Sequence, residues 1–215
     1  MTPLAWALIA AACVAAAIDW AAVWHARIAV ERVAKPAVLG LLIVAALAAE
    51  PVTPAVRPWL IAALVASLAG DVLLLPGGPF TAGLVAFLLG QLAYLVAFAQ
   101  LPGGSAGLVI GIVLAVLLIA VVGRVIIRGA ARSGFAAPVA VYLAAICGMA
   151  ISATRSEIPL AAIGAWLFVA SDATLGWDRF AAPAATTPRD AATRRLAVMV
   201  TYHAAQVLLV LALAA

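Results

Sequence analysis

The feature that most constrains this chain is a series of continuous apolar runs, each about as long as a lipid bilayer is thick. Hydrophobic residues make up 68% of the sequence and charged residues only 9%, whereas a soluble domain carries about 25% charged residues. Only helical bundles and closed β-barrels satisfy their backbone hydrogen bonds in lipid. Barrel strands alternate polar and apolar residues and these runs do not, so the sequence predicts an all-α, polytopic membrane protein.

Pro, Gly and charged residues divide the chain into eight segments of about the length that a transmembrane helix requires. The predicted helices cover residues 3–20, 36–50, 58–76, 80–100, 106–124, 135–153, 158–176 and 195–213. The longest connection, residues 177–195, is rich in Ala, Thr and Pro and is predicted to be a flexible loop. With no soluble insertion between the helices, residues 1–215 are predicted to form a single transmembrane domain.

Lys and Arg are unevenly distributed among the predicted loops. Ten of the twelve belong to odd-numbered loops, and only Arg57 and Arg155 belong to even-numbered ones. The positive-inside rule places the basic loops in the cytoplasm, so we expect both termini on the non-cytoplasmic side of a bacterial inner membrane. Basic residues arranged in this way are a topology signal and do not indicate nucleic-acid binding.

Two lone carboxylates, Asp71 and Asp172, interrupt apolar runs in matching settings, each a few residues before the cytoplasmic end of a predicted helix. A charged Asp at a helix centre costs about 2.5–3.5 kcal/mol on the insertion scale, and intramembrane ionisable groups generally face the bundle interior or a wet cavity. We therefore expect both side chains to point inward, at equal depth, and to carry function. The alternative is a structural hydrogen bond between helices.

Other polar side chains are predicted to surround the same cytoplasm-facing cavity. They are Asp19, Lys35, Gln91, Tyr94, Tyr142, Ser171, Tyr202 and Gln206. Alternatives remain for several of them: Asp19 as a solvated helix end, Lys35 as a snorkelling side chain, and the tyrosines and glutamines as bonds between helices. Cys13 and Cys147 are far apart and form no metal-binding or redox motif, so we expect no metal and no cofactor.

The segments SLAGDVLLL (67–75), LFVASDATLGWDRF (167–180) and TYHAAQVLLV (201–210), together with Lys35-Pro36 and VYLAAICGM (141–149), resemble the YhhN family, the lysoplasmalogenases. The resemblance covers nearly the whole chain in order. It implies about eight membrane helices, hydrolysis of the vinyl ether bond of a lysoplasmalogen to a fatty aldehyde and a glycerophospho-base, and catalytic roles for Asp71 and Asp172. The family usually has a histidine where this chain has Gln91. If that histidine titrates in the mechanism, another substrate or a slower reaction is expected here, and if it only donates a hydrogen bond, glutamine can substitute.

Two carboxyl groups suit this chemistry. Cleavage needs an acid that protonates the outer alkene carbon and an anion that stabilises the oxocarbenium-like cation, a division also found in glycoside hydrolysis. Burial and a neighbouring charge can keep one carboxyl protonated and the other ionised. We assign the acid role to Asp172 and the base role to Asp71, with the reverse assignment open. Lys35 and an arginine of the last loop are expected to meet the lipid phosphate.

The implied partners are an ether-lipid substrate and membrane lipids, and the sequence does not indicate an oligomeric state. Two other functions stay open. Paired aspartates also serve proton relays, so a small proton-coupled or lipid transporter is one alternative, and it predicts access to the aspartates from both membrane faces in turn. A non-enzymatic membrane scaffold is the other, and it predicts that Asp-to-Asn changes alter folding alone.

Overall fold

The computed structural model describes residues 1–51, 53–185 and 187–214, and these residues form eight helices and no strand. The helices are α1 (Pro3–Trp24), α2 (Ile28–Ala48), α3 (Val56–Leu73), α4 (Phe80–Ala99), α5 (Ser105–Ala131), α6 (Ala136–Arg155), α7 (Pro159–Phe180) and α8 (Pro188–Ala214). One turn of α5, Ile119–Gly123, is π-helical. The prediction of an all-α fold is confirmed.

The helices pack as a bundle in which α8 and α6 make the central contacts. α8 packs against α1, α2, α3 and α7, and α6 packs against α4, α5 and α7. α5 lies at the periphery, where apolar residues such as Val109, Val116 and Val121 are more than half exposed. Apolar side chains thus cover the outside of the bundle as well as its core, as expected for a protein surrounded by lipid.

Seven of these helices, all except α2, have the length and apolar character needed to cross a membrane. α2 has 21 residues and packs beside α1, and the Thr2 hydroxyl donates a hydrogen bond to the Ala48 carbonyl at 2.9 Å. It differs in carrying Glu31, Arg32 and Lys35 in its first turns. The chain is therefore a multi-pass membrane protein, and the count of eight crossing helices stays a prediction.

Several predicted helix boundaries are wrong. α2 begins at Ile28 rather than residue 36 and contains Pro36, which membrane helices tolerate because neighbouring groups satisfy the freed carbonyl. α5 continues to Ala131 instead of ending at residue 124. α3 ends three residues early and α7 four residues late, so Asp71 lies two residues before its helix end and Asp172 eight. The equal-depth estimate, which counted from the helix ends, rested on wrong boundaries.

The predicted flexible loop at 177–195 is mostly helical. α7 ends at Phe180 and α8 begins at Pro188, which leaves residues 181–187 as the connection, with 186 outside the described residues. The Thr187 hydroxyl accepts from the Asp190 amide and the Asp190 carboxylate accepts from the Thr187 amide, both at 3.1 Å. This reciprocal capping box starts α8, and its Thr-x-x-Asp spacing was visible in the sequence.

The α1–α2, α3–α4, α5–α6 and α7–α8 connections lie at one end of the bundle, and ten of the twelve Lys and Arg residues lie in that half. We call it the arginine-rich half. The other two arginines cap helix ends on the opposite side. Arg155 donates to the Phe98 and Leu101 carbonyls at 3.4 and 3.2 Å, and Arg57 donates to the Ala49 carbonyl.

We expect the arginine-rich half to face the cytoplasm because of this charge bias. In a variant with Cys13 and Cys147 replaced by Ala, Ser133→Cys should resist a membrane-impermeant maleimide in intact cells and react after lysis. Ala55→Cys, at the opposite end, should react in intact cells. The reverse labelling pattern would contradict the predicted orientation.

Candidate active site

A buried ion pair and a hydrogen bond to its carboxylate connect three helices in the arginine-rich half. The Lys35 ammonium of α2 lies 3.4 Å from Asp71 Oδ1 on α3, and both side chains are 5% exposed or less. The Tyr202 hydroxyl of α8 donates to the other oxygen, Asp71 Oδ2, at 2.9 Å. Lys35 is therefore inside the bundle, in the polar group where the sequence analysis placed it, and it is bound to Asp71 instead of snorkelling to the lipid headgroups.

The second carboxyl group, Asp172, has a different environment. It lies on α7, is only half-buried, and accepts a hydrogen bond from the Tyr142 hydroxyl of α6. Within the described residues, no lysine or arginine forms an ion pair with it. The two predicted catalytic residues are thus each held by a tyrosine from a different helix, and one of them also has a cation.

Asp71 and Asp172 both point into the bundle and lie within electrostatic range of each other. The ring of Phe87, on α4, lies beside both centres. It contacts the Tyr202 ring at 5.7 Å between centroids and also lines the cavity that Asp172 faces. A Cβ at Gly70 would lie 2.6 Å from this ring, so only glycine at the position before Asp71 lets α3 and Phe87 approach this closely.

Asp172 and Tyr142 face a cavity that we call the Asp172 cavity. Its accessible volume is about 70 Å³, which is below the range of about 300–1,000 Å³ that is usual for small-molecule sites. Its walls come mainly from α4, α5, α6 and α7, and Asp172 and Tyr142 are the only polar side chains among the described residues that line it. An apolar chamber with one hydrogen-bonded carboxyl group suits a largely hydrocarbon ligand.

Two glutamines support the tyrosines. The Tyr94 hydroxyl donates to Gln206 Oε1, and Gln206 is one turn from Tyr202 on α8. Gln91 is fully buried with its amide near the Tyr142 hydroxyl, but it makes no well-formed hydrogen bond to any described residue. The position at which the resemblance leads us to expect histidine therefore lies beside the Asp172–Tyr142 pair.

The remaining predicted site residues lie farther from the cavity. The Ser171 hydroxyl donates to the Val198 carbonyl at 3.0 Å, which joins α7 to α8 and leaves Ser171 no visible part in the site. Asp19 is completely buried, so it is not a solvated helix end, and it lies within electrostatic range of Lys35 and Asp71. Neither of its oxygens has a hydrogen-bond partner in the described part of the chain.

The sequence analysis missed two contacts that surround this network. Arg195 of α8 donates to both oxygens of Glu31 on α2, at 2.6 and 2.8 Å. The Trp20 indole donates to His203 Nδ1 at 3.1 Å. Glu31 precedes Lys35 by four residues and therefore shares its helical face. That spacing was a usable signal, but the predicted start at residue 36 left both residues outside the helix.

The fold and this site define a class, a multi-pass helical membrane protein with a buried ion-paired network beside a carboxyl group in an apolar cavity. A model of the YhhN family matches residues 30–213, which include every predicted site residue except Asp19. The chain belongs to the YhhN family. Comparison with curated proteins and with solved structures gave no significant match.

Replacing Lys35 with Met should destabilise the bundle strongly, because it leaves the Asp71 carboxylate buried without its cation. We expect the free energy of unfolding to fall by about 3–5 kcal/mol, measured by chemical denaturation in detergent micelles. The control is Arg194→Met, which breaks the exposed 2.8 Å pair with Asp178 and should cost about 0–1 kcal/mol. Equal losses in the two variants would contradict a structural role for the buried pair.

Proposed function

We propose that this protein is a lysoplasmalogenase-like membrane hydrolase. It cleaves the vinyl ether bond of a lysoplasmalogen, or of a related ether lipid, to a fatty aldehyde and a glycerophospho-base. The observation that carries the proposal is the Asp172–Tyr142 pair, a carboxyl group and a phenol that are the polar groups in an otherwise apolar cavity. Membership of the YhhN family, which is associated with lysoplasmalogenase-like proteins, supports it.

The different partners of the two aspartates support the assignment of the acid to Asp172. The Lys35 ammonium favours the ionised form of Asp71, whereas apolar surroundings without a cation favour the neutral form of Asp172. A neutral carboxyl group can donate a proton, and Asp172 is the one that faces the cavity. Asp71 does not line the cavity, so its role is to hold the Tyr202 and Lys35 side chains and to set the local field.

The reaction then needs one carboxyl group at the substrate and one water molecule. Asp172 protonates the outer alkene carbon, and the resulting carboxylate lies beside the oxocarbenium ion and stabilises it. Water adds to the cationic carbon and returns a proton to Asp172, which switches from acid to base as the acid does in retaining glycosidases. The hemiacetal collapses to the aldehyde as its hydroxyl proton moves to the departing glycerol oxygen.

Tyr142 positions the acid, and Gln91 lies beside Tyr142. The Tyr142 hydroxyl fixes the orientation of the Asp172 carboxyl by donating to Oδ2, which leaves the other oxygen for the proton that is transferred. Gln91, next to Tyr142, can exchange hydrogen bonds but cannot titrate near neutral pH. A glutamine at this place is therefore compatible with a hydrogen-bonding role and not with proton transfer.

Asp172→Asn should lower kcat for aldehyde release from a lysoplasmenyl lipid by about 10²–10⁴-fold, the usual contribution of general acid–base catalysis. Asp71→Asn should also lower activity, together with stability, because it removes the partner of Lys35. The matched control is Asp178→Asn, on the exposed end of the same helix, which should keep wild-type activity. Full activity in the Asp172 variant would refute the proposal.

Reaction in D₂O tests the protonation step separately from the identity of the acid. We expect one deuterium on the carbon next to the aldehyde carbonyl, because solvent supplies the proton that Asp172 transfers to the outer alkene carbon. The aldehyde is reduced at once with borohydride to prevent exchange and is analysed by mass spectrometry. An unlabelled aldehyde would exclude this mechanism.

A further inference from the structure

Three arginines follow one another along the cytoplasmic-type end of α5, in its last two turns and at the residue after it. Arg124, Arg128 and Arg132 are spaced four residues apart, which places them along one side of the helix. All three are exposed, and within the described part of the chain none of them forms an ion pair. We call them the α5 arginines.

The helices around the α5 arginines offer them no free carboxylate. No Asp or Glu occurs from residue 72 to residue 156, a range that contains the whole of α4, α5 and α6. The other helix that packs on the end of α5 is α7. Its two carboxylates are engaged, since Asp172 lines the cavity and Asp178 pairs with Arg194 at 2.8 Å. The described residues therefore leave the charge of the α5 arginines without a counter-charge.

Glycines hold the opposite side of α5 against the bundle at both ends. A Cβ at Gly107 would collide with the Thr154 carbonyl oxygen of α6, and a Cβ at Gly129 would collide with the Phe180 carbonyl oxygen of α7. Only glycine permits backbone contacts this close. They fix the rotation of α5 about its own axis, so the direction in which the arginines point is set by the packing of the helix.

The π-turn Ile119–Gly123 turns the arginines away from the bundle. The buried side of α5 begins with Gly107, Gly111 and Ala115, and in a regular helix, at about 100° per residue, it would continue at 122, 125 and 129. The π-turn adds one residue, and positions 123, 126 and 130 are buried instead. All three α5 arginines then lie about 120° or more from the centre of the buried side, whereas the last would otherwise lie about 60° from it.

The α5 arginines continue a side of the helix that faces lipid. Val109, Val113 and Val116 are more than half exposed and lie opposite the glycines. α5 has 27 residues, which span about 40 Å at 1.5 Å per residue, whereas the hydrocarbon core of a bilayer is about 30 Å thick. The last turns of α5 therefore reach the headgroup layer, and its outer side passes from valines at acyl-chain depth to arginines at phosphate depth.

We propose that this outer side of α5 is a binding site for an anionic, two-chain phospholipid of the surrounding membrane. The acyl chains lie along the valines and the α5 arginines hold the phosphate. Guanidinium groups bind phosphate oxygens through two parallel hydrogen bonds, and basic clusters next to a membrane helix are typical of anionic-lipid recognition. The site is on the opposite side of α5 from the Asp172 cavity, and it does not depend on the proposed function.

The preference for an anionic headgroup is measured by native mass spectrometry of the delipidated full-length protein. The protein is titrated with phosphatidylglycerol or with phosphatidylcholine that has the same acyl chains. We expect the first phosphatidylglycerol to bind at least about 10-fold more tightly, since each arginine near an anionic group contributes about 5-fold in affinity. Equal affinities for the two lipids would overturn the proposal.

Replacing all three α5 arginines with Gln should remove this preference, and replacing them with Lys should retain most of it because the charges remain. Arg128→Gln alone, at the centre of the three, should weaken phosphatidylglycerol binding by about 5-fold and serves as the test if the triple variant does not fold. A folded Gln variant that binds phosphatidylglycerol like the wild type would contradict the assignment.

The matched control removes three other exposed arginines from the same half of the bundle. The variant Arg27→Gln, Arg32→Gln, Arg189→Gln has the same net charge as the triple α5 variant and should keep the preference for phosphatidylglycerol. An equal loss in both triple variants would mean that total charge, and no particular site, attracts the lipid, and the proposal would fail.

Competition with a soluble polyanion separates a lipid site from a docking site for an acidic protein. A polyglutamate peptide should not displace phosphatidylglycerol, because it has no acyl chains to lie along the valines of α5. Saturating phosphatidylglycerol should also raise the thermal unfolding temperature of the wild type, since a ligand that binds only the folded state stabilises it, and it should raise that of the triple α5 variant less. Displacement by polyglutamate, or equal shifts in the two proteins, would overturn the lipid assignment.

Discussion

The pairing of Lys35 with Asp71 is the interaction on which the functional half of this bundle depends. Each charge alone would be costly at this depth, and each is tolerated because the other is 3.4 Å away and the Tyr202 hydroxyl donates to Asp71 Oδ2. The three residues come from α2, α3 and α8. The ion pair therefore persists only while these three helices keep their relative rotation and register. This requirement explains why α2 remains helical through Pro36.

The same arrangement makes the two aspartates unequal. Asp71 lies in the packed interior with a cation and a phenol, whereas Asp172 lies on the cavity wall with a phenol alone. Phe87 packs against the Tyr202 ring and also lines the cavity. We infer from this asymmetry that proton transfer belongs to Asp172 and that Asp71 acts through its neighbours. The sequence analysis assigned the acid role to Asp172 and the base role to Asp71; under the present proposal Asp172 is the reactive group and Asp71 supports it.

The sequence predicted the helical membrane fold, the inward direction of Asp71 and Asp172, and the presence of tyrosines in the group of polar side chains around them. It failed where tertiary contacts override local signals. Pro36 suggested a helix start, although the Glu31–Arg195 and Lys35–Asp71 pairs hold the preceding turns of α2 against α8 and α3. The Ala, Thr and Pro composition of residues 177–195 suggested a loop, but the capping box at Thr187 starts α8 there. The sequence predicted a cavity surrounded by polar side chains, whereas the Asp172 cavity is lined mainly by residues as apolar as those that face lipid.

What the sequence alone determined follows from solvation. Long apolar runs must be helices in lipid, isolated carboxylates within them must turn away from the acyl chains, and arginines must collect at the helix ends. Each of these outcomes avoids the free-energy cost of exposing a polar or charged group to lipid. That cost depends on one residue and its immediate surroundings. Only the tertiary structure decided which aspartate receives the lysine and which one faces a cavity. Those choices depend on how far each helix is rotated and shifted against neighbours that are distant in the chain, and no local pattern records that.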